Sequence, residues 1–118
     1  MATIVQYIVV RGDLTSALKW PLGAVIAQAC HASTAIMHLH KDDPHVLEYT
    51  SKLDSMHKIV LEAKNEENLC TLAETLHQNE VDFKLWIEQP ENFATCLATK
   101  PCPKQDIQRF FKNLKLLK

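Results

Sequence analysis

Residues Ile4 to Val10 are β-branched and apolar apart from Gln6, the signature of a buried strand, and Arg11-Gly12-Asp13 breaks it. Residues 13–20 follow as a loop. Pro21 suits a helix start, because its missing N–H would be unpaired there in any case. The period then becomes helical over 22–39, with Leu22, Val25, Ile26, Ala29, Ile36 and Met37 on one apolar stripe. Asp42-Asp43-Pro44 stops this helix and opens a short one over about 44–53. A second strand runs from Lys58 to Ala63. Asn65 ahead of Glu66 and Glu67 marks another helix start, and Leu69, Leu72, Ala73 and Leu76 form that helix's buried face. Val81, Phe83, Leu85 and Ile87 alternate with Asp82, Lys84, Trp86 and Glu88, which is strand period. Gln89 to Asn92 form a turn, and Phe93 to Thr99 a fourth strand. Pro103 opens a last helix with Ile107, Phe110, Phe111 and Leu114 facing inward. The order β-α-α-β-α-β-β-α predicts an α/β fold, a three-layer sandwich with a mixed four-stranded sheet covered by helices.

Composition narrows this picture. The chain has 118 residues, enough for one domain spanning 1–118 with a single hydrophobic core. Hydrophobic residues at 47% and charged residues at 23% fit an ordinary globular domain and exclude disorder over most of the chain. Gly12 and Gly23 are the only glycines, which excludes a glycine-rich phosphate cradle. No apolar run approaches the roughly 20 residues of a membrane helix, so no membrane partner is expected. Met1-Ala2-Thr3 carries no basic side chain, and the apolar stretch behind it is too short for a secretory leader; the chain reads as cytosolic. Cys30, Cys70, Cys96 and Cys102 have no paired spacing, so they read as free thiols and give no support to a zinc site.

The net charge of −1 hides an asymmetry. Residues 1–99 hold seven basic and thirteen acidic side chains, whereas residues 100–118 hold six basic ones against the single acid Asp106. Lys100, Lys104, Arg109, Lys112, Lys115 and Lys118 suit an anionic partner such as RNA, or simply a solvated helix end.

Candidate chemistry gathers on the long helix and two strand ends. Ala24, Ala27, Gln28, His31, Ala35 and His38 fall at spacings of three and four, so Gln28 and His31 stand one turn apart among small residues. They can reach one ligand together, or form a packing face with His31 bonded to a carbonyl. His38, His40, Asp42, Asp43 and His45 have a metal-binding composition, but His38 and His40 point to different sides of a helix; a solvated helix end accounts for them better. Glu88, at a strand end before a turn, can orient a water, pair with a cation, or stand as a surface acid. Trp20 and Trp86 are interaction anchors or packing groups.

Several segments together resemble a known family. Val9-Val10-Arg11-Gly12-Asp13-Leu14 leads to Ala27-Gln28-Ala29-Cys30-His31-Ala32; Lys58 to Glu62 and the helix around Leu69 follow; Thr95 to Pro101 and the tail Leu114 to Leu117 close the chain. Over essentially its whole length the chain resembles the second, archaeal and eukaryotic type of peptidyl-tRNA hydrolase, and most of all its divergent domain-containing branch. The resemblance implies hydrolysis of the ester joining a peptide to the 3′ end of tRNA, with no metal or organic cofactor. By position, Thr95 matches the family's threonine, Glu88 stands in place of its aspartate, Gln28 and His31 match the helix motif, and Asp13 the turn acid. The family's Gly-Lys-Gly-Lys aligns with Pro21-Leu22-Gly23-Ala24, so both lysines are absent and Lys19 is the nearest cation. On this resemblance Glu88, Thr95 and His31 are the expected catalytic residues, with Lys19 as the nearest cation to replace the lysines; a tRNA- or RNA-binding module of the same fold, weak or inactive in catalysis, is the alternative. Gln28 and Asp13, with Lys100, Lys104, Arg109 and Lys112 of the basic segment, would bind a tRNA carrying a peptide. Relatives are often dimers, which makes a second copy of the chain a candidate partner.

Overall fold

The computed structural model describes residues 3–118; Met1 and Ala2, part of the N-terminal reading above, lie outside them. Strand β1 (Ile4–Arg11) is central. It pairs in parallel with β2 (Lys58–Ala63) and antiparallel with β4 (Phe93–Thr99), which pairs antiparallel with β3 (Phe83–Glu88). The parallel pair requires a crossover, and α2 (Leu22–Leu39) with α3 (Pro44–Thr50) supplies it. The mixed sheet has six strands rather than four: β5 (Cys102–Pro103) pairs with β1, and β6 (Lys115–Leu116) extends the order to β3-β4-β1-β2-β6.

Alternation along β1 divides the core. Val5, Tyr7 and Val9 pack on one face with Leu69, Ala73 and Leu76 of α4 (Glu66–Gln78). Ile8 and Val10 pack on the other with Val25, Ala32 and Ile36 of α2. Asn65 caps α4, its side chain accepting from Asn68 N–H at 2.9 Å. At its other end Glu80 adopts φ 58°, Val81 N–H reaches Leu76 O at 2.9 Å and Glu80 N–H reaches His77 O at 3.1 Å, a Schellman closure built without glycine. Asp43 caps α3, accepting from His45 N–H at 2.9 Å.

Other expectations are corrected. Residues 13–20 are not all loop: Asp13–Ser16 form the turn α1. The buried face of α2 is Val25, Gln28, Ala32 and Ile36, while Leu22 and Ile26 stand 68% and 53% exposed. By length and composition α2 is apolar enough to cross a membrane, contrary to the reading from apolar runs, but here it lies along the sheet. The last helix is one turn, α5 (Lys104–Ile107), followed by a tighter turn over Gln108–Phe110; the chain then peels away to form β6.

Candidate active site

The site forms where β1 and β3 end and β4 begins, on the α2 face. Its geometry depends on an irregularity in β4. Ile87 pairs with Ala94 but Trp86 pairs with Cys96, so Thr95 is an extra residue in the ladder. In an unbroken pleat Thr95 would share the face of Leu97, which packs toward α4. The bulge turns it to the α2 face instead. Side chains support this departure on both sides of one residue: Ala94 N–H donates to Glu66 Oε2 at 2.8 Å, and Ala94 O accepts from Arg11 Nη1 at 2.9 Å. Arg11 is itself buried. It pairs with both carboxylate oxygens of Asp13 at 2.9 Å and lies 4.8 Å from the centre of the Phe93 ring.

Re-aimed in this way, Thr95 Oγ1 donates to Gln28 Oε1 at 2.8 Å. The Gln28 amide group donates to Ala24 O and to Glu88 Oε2, both at 3.2 Å. The other carboxylate oxygen, Glu88 Oε1, accepts from the Trp86 indole N–H at 3.0 Å. Trp86 in turn stacks on His31, ring centres 4.6 Å apart and planes within 17°. One chain of contacts thus joins a hydroxyl, an amide, a carboxylate, an indole and an imidazole. Among the described residues no buried side-chain polar atom lacks a partner.

These contacts determine which groups a ligand can meet. Thr95 is fully buried and Gln28 2% exposed, and both amide hydrogens of Gln28 have acceptors. Neither is free to bind substrate directly; Thr95 orients Gln28, and Gln28 orients Glu88. Glu88, His31, Trp20, Pro21, Ala24, Ala27 and Glu91 line an open cleft of about 380 Å³ with the edge of Gln28 at its base. The indole bond holds the Glu88 carboxyl below its ordinary range; the Gln28 bond and nearby His31 act in the same direction against partial desolvation. With the Gln89 backbone N–H as a further donor to the carboxylate, a lone pair still remains for a water.

The remaining expected residues lie elsewhere or are otherwise engaged. Lys19 is exposed with φ 59° and adjoins the cleft wall only through its neighbour Trp20. Asp13 is occupied by Arg11. Lys100 pairs with Asp43 at 2.8 Å and Asp82 at 3.5 Å, at the far end of β4 from Thr95. Lys104, Arg109 and Lys112 line a groove of about 500 Å³ over Tyr7 and Phe111, on the α4 face of the sheet. The sequence reading missed Arg11 and Glu66 as supports of Ala94, and Trp86 as a partner of Glu88. The last was within reach, since strand residues two apart share a face. Among the described residues no group of three His, Cys, Asp or Glu side chains is placed to hold a metal.

The fold is an α/β sandwich in which a carboxylate at a strand end, held by Gln28 and Trp86, lines an open cleft. The chain belongs to the peptidyl-tRNA hydrolase family: the family model described as "Peptidyl-tRNA hydrolase PTH2" matches residues 4–117. It is 52% identical over 116 residues to the mouse (Mus musculus) protein named "Putative peptidyl-tRNA hydrolase PTRHD1", a match covering 98% of this chain and 83% of the relative. The human (Homo sapiens) protein of the same name is 51% identical over the same shares. "Probable peptidyl-tRNA hydrolase 2" of Dictyostelium discoideum is 33% identical over 94% of this chain and 53% of its own length.

Proposed function

We propose that this cleft hydrolyses the ester between a peptide and the 3′ end of tRNA, with Glu88 orienting the attacking water. The observation carrying this reading is that Glu88 is held on both oxygens where it lines an open cleft with His31. A carboxylate fixed in this way is a weak base, and its contribution is to hold the water in line with the ester carbonyl. As the water's oxygen bonds to the carbonyl carbon, its proton passes to Glu88 and the carbonyl oxygen becomes an oxyanion. His31, or Lys19 after a loop movement, faces it in place of the family's lysines. Collapse of the tetrahedral intermediate breaks the bond to the ribose oxygen, and that oxygen takes the proton from Glu88.

The tRNA body carries phosphates well beyond its 3′ end. This reading assigns some of them to the groove of Lys104, Arg109 and Lys112, and leaves out Lys100, which Asp43 and Asp82 already neutralise. The same reading goes with a cytosolic location, where translation supplies peptidyl-tRNA. The test is peptide release from an N-blocked aminoacyl-tRNA by the full chain. Release above a Glu88→Gln, Thr95→Ala double variant supports the reading, and equal rates end it.

A further inference from the structure

We propose that Trp86 is the positioning residue of this site, one side chain fixing both the Glu88 carboxylate and the His31 ring. The inference rests on the hydrolytic reading for its catalytic meaning, but the geometry stands without it. β3 places Trp86 and Glu88 on the α2 face, and the indole N–H meets Glu88 Oε1 at 3.0 Å. A carboxylate whose only side-chain donor is Gln28, on Oε2, could still swing about that contact; a second side-chain donor on Oε1 fixes its plane. The flat of the same indole carries His31, with ring centres at 4.6 Å. His31 is itself an exposed residue of α2, where an unsupported imidazole would sample several rotamers. Trp86 thereby sets the spacing between the group that holds the water and the group that faces the developing charge.

The titratable groups facing Glu88 are few. His31 approaches from α2 and Glu91 from the turn. From β4, Thr95 is directed to Gln28, and from β1 Arg11 is directed to Asp13. The indole bond is the foremost cause of the lowered Glu88 pKa, so its removal should raise the carboxyl's midpoint.

The experiment is a pH titration by NMR of the full chain, following the two indole N–H signals and the Glu88 side-chain carboxyl carbon. Trp20→Phe and Trp86→Phe assign the indoles. The Trp86 N–H should move with the same midpoint as the Glu88 carbon, and Glu88→Gln should abolish that movement. In Trp86→Phe, which keeps a ring under His31 but has no N–H, the Glu88 midpoint should shift upward. A Trp86 signal that ignores Glu88, or an unshifted Glu88 midpoint in folded Trp86→Phe, overturns the proposal. Should Trp86→Phe not fold, the comparison of the unaltered chain with Glu88→Gln still decides. In parallel, the acid limb of peptide release should move to higher pH in Trp86→Phe, and an unmoved limb counts against the proposal. Absence of release by the unaltered chain would defeat the hydrolytic reading alone, because the titration does not depend on turnover.

Discussion

The bond between Thr95 and Gln28 provides a quantitative test of the site. Thr95→Val keeps the shape of the side chain and removes the hydroxyl. In the unaltered chain this leaves Gln28 Oε1 without its donor at a position 2% exposed. The expected loss is about 1.5 kcal/mol, since a buried acceptor loses a hydrogen bond and gains no water. Gln28→Leu removes more: the Thr95 hydroxyl loses its acceptor and the Glu88 carboxylate one of its two side-chain donors. Its cost should be about 3 kcal/mol, with the charge-assisted bond the largest part. In the Gln28→Leu background, Thr95→Val deletes a hydroxyl that is already unpaired and should be close to neutral. The double-mutant cycle should therefore show a coupling of about 1.5 kcal/mol. Urea unfolding of the four proteins measures it; at a slope of about 1.5 kcal/mol per molar, Thr95→Val should lower the midpoint by roughly 1 M in one background and hardly move it in the other. If its cost agrees in both backgrounds to within about 0.5 kcal/mol, the hydroxyl and the amide are not partners and the relay to Glu88 fails with them.

Four further outcomes follow. Asp43→Ala should destabilise by about 2 kcal/mol and Asp43→Asn by about half as much in urea unfolding at neutral pH, since asparagine keeps the α3 cap but loses the Lys100 ion pair. The Lys100 bond lowers the Asp43 pKa, so this ion-pair contribution is present above the ordinary carboxylate range and fades as pH falls through the lowered value; Asp43→Asn should narrow the acid-side loss of stability. Glu80→Gly should stabilise by about 0.5–1 kcal/mol, raising Tm by about 2–5 °C in a melting scan, because φ 58° strains a residue bearing a Cβ. Asp13→Asn should cost about 2–3 kcal/mol in the same unfolding assay by stripping a largely buried Arg11 of its counter-charge. The lowered Glu88 pKa keeps its anion present below the ordinary carboxylate range, so a pH-rate profile of peptide release should hold its acid side down to there before falling.

The sequence made the long elements legible because their patterns are long. Eight residues of β1 and thirteen of α4 supply enough repeats for a period to appear. Two-residue strands such as β5 and β6 have no period at all; pairing with β1 and β2 defines them, and pairing is a property of the fold. Leu22 and Ile26 fit an apolar stripe, yet α2 buries Gln28 in preference to both, because the amide finds three partners there. The motif placed Gln28, His31, Glu88 and Thr95 in one neighbourhood, but Thr95 follows an apparently regular strand. Its direction depends on a bulge held by Arg11 and Glu66, residues 84 and 29 positions away in the chain. The arrangement of the basic segment was hidden for a related reason: net charge does not reveal that Lys100 already has two partners, nor that Lys104, Arg109 and Lys112 line a groove on the α4 face.

The anchoring of Ala94 through both its N–H and its carbonyl has a wider consequence. Glu66 begins α4 on one side of the sheet, while the hydroxyl it indirectly aims lies on the other. A lesion at the start of α4, remote from any ligand, would slacken that anchor and let the neighbouring threonine swing back into the opposite layer. A survey of inactivating substitutions should thus return sensitive positions from both halves of the sandwich, with those near Glu66 leaving the cleft lined but its parts out of alignment.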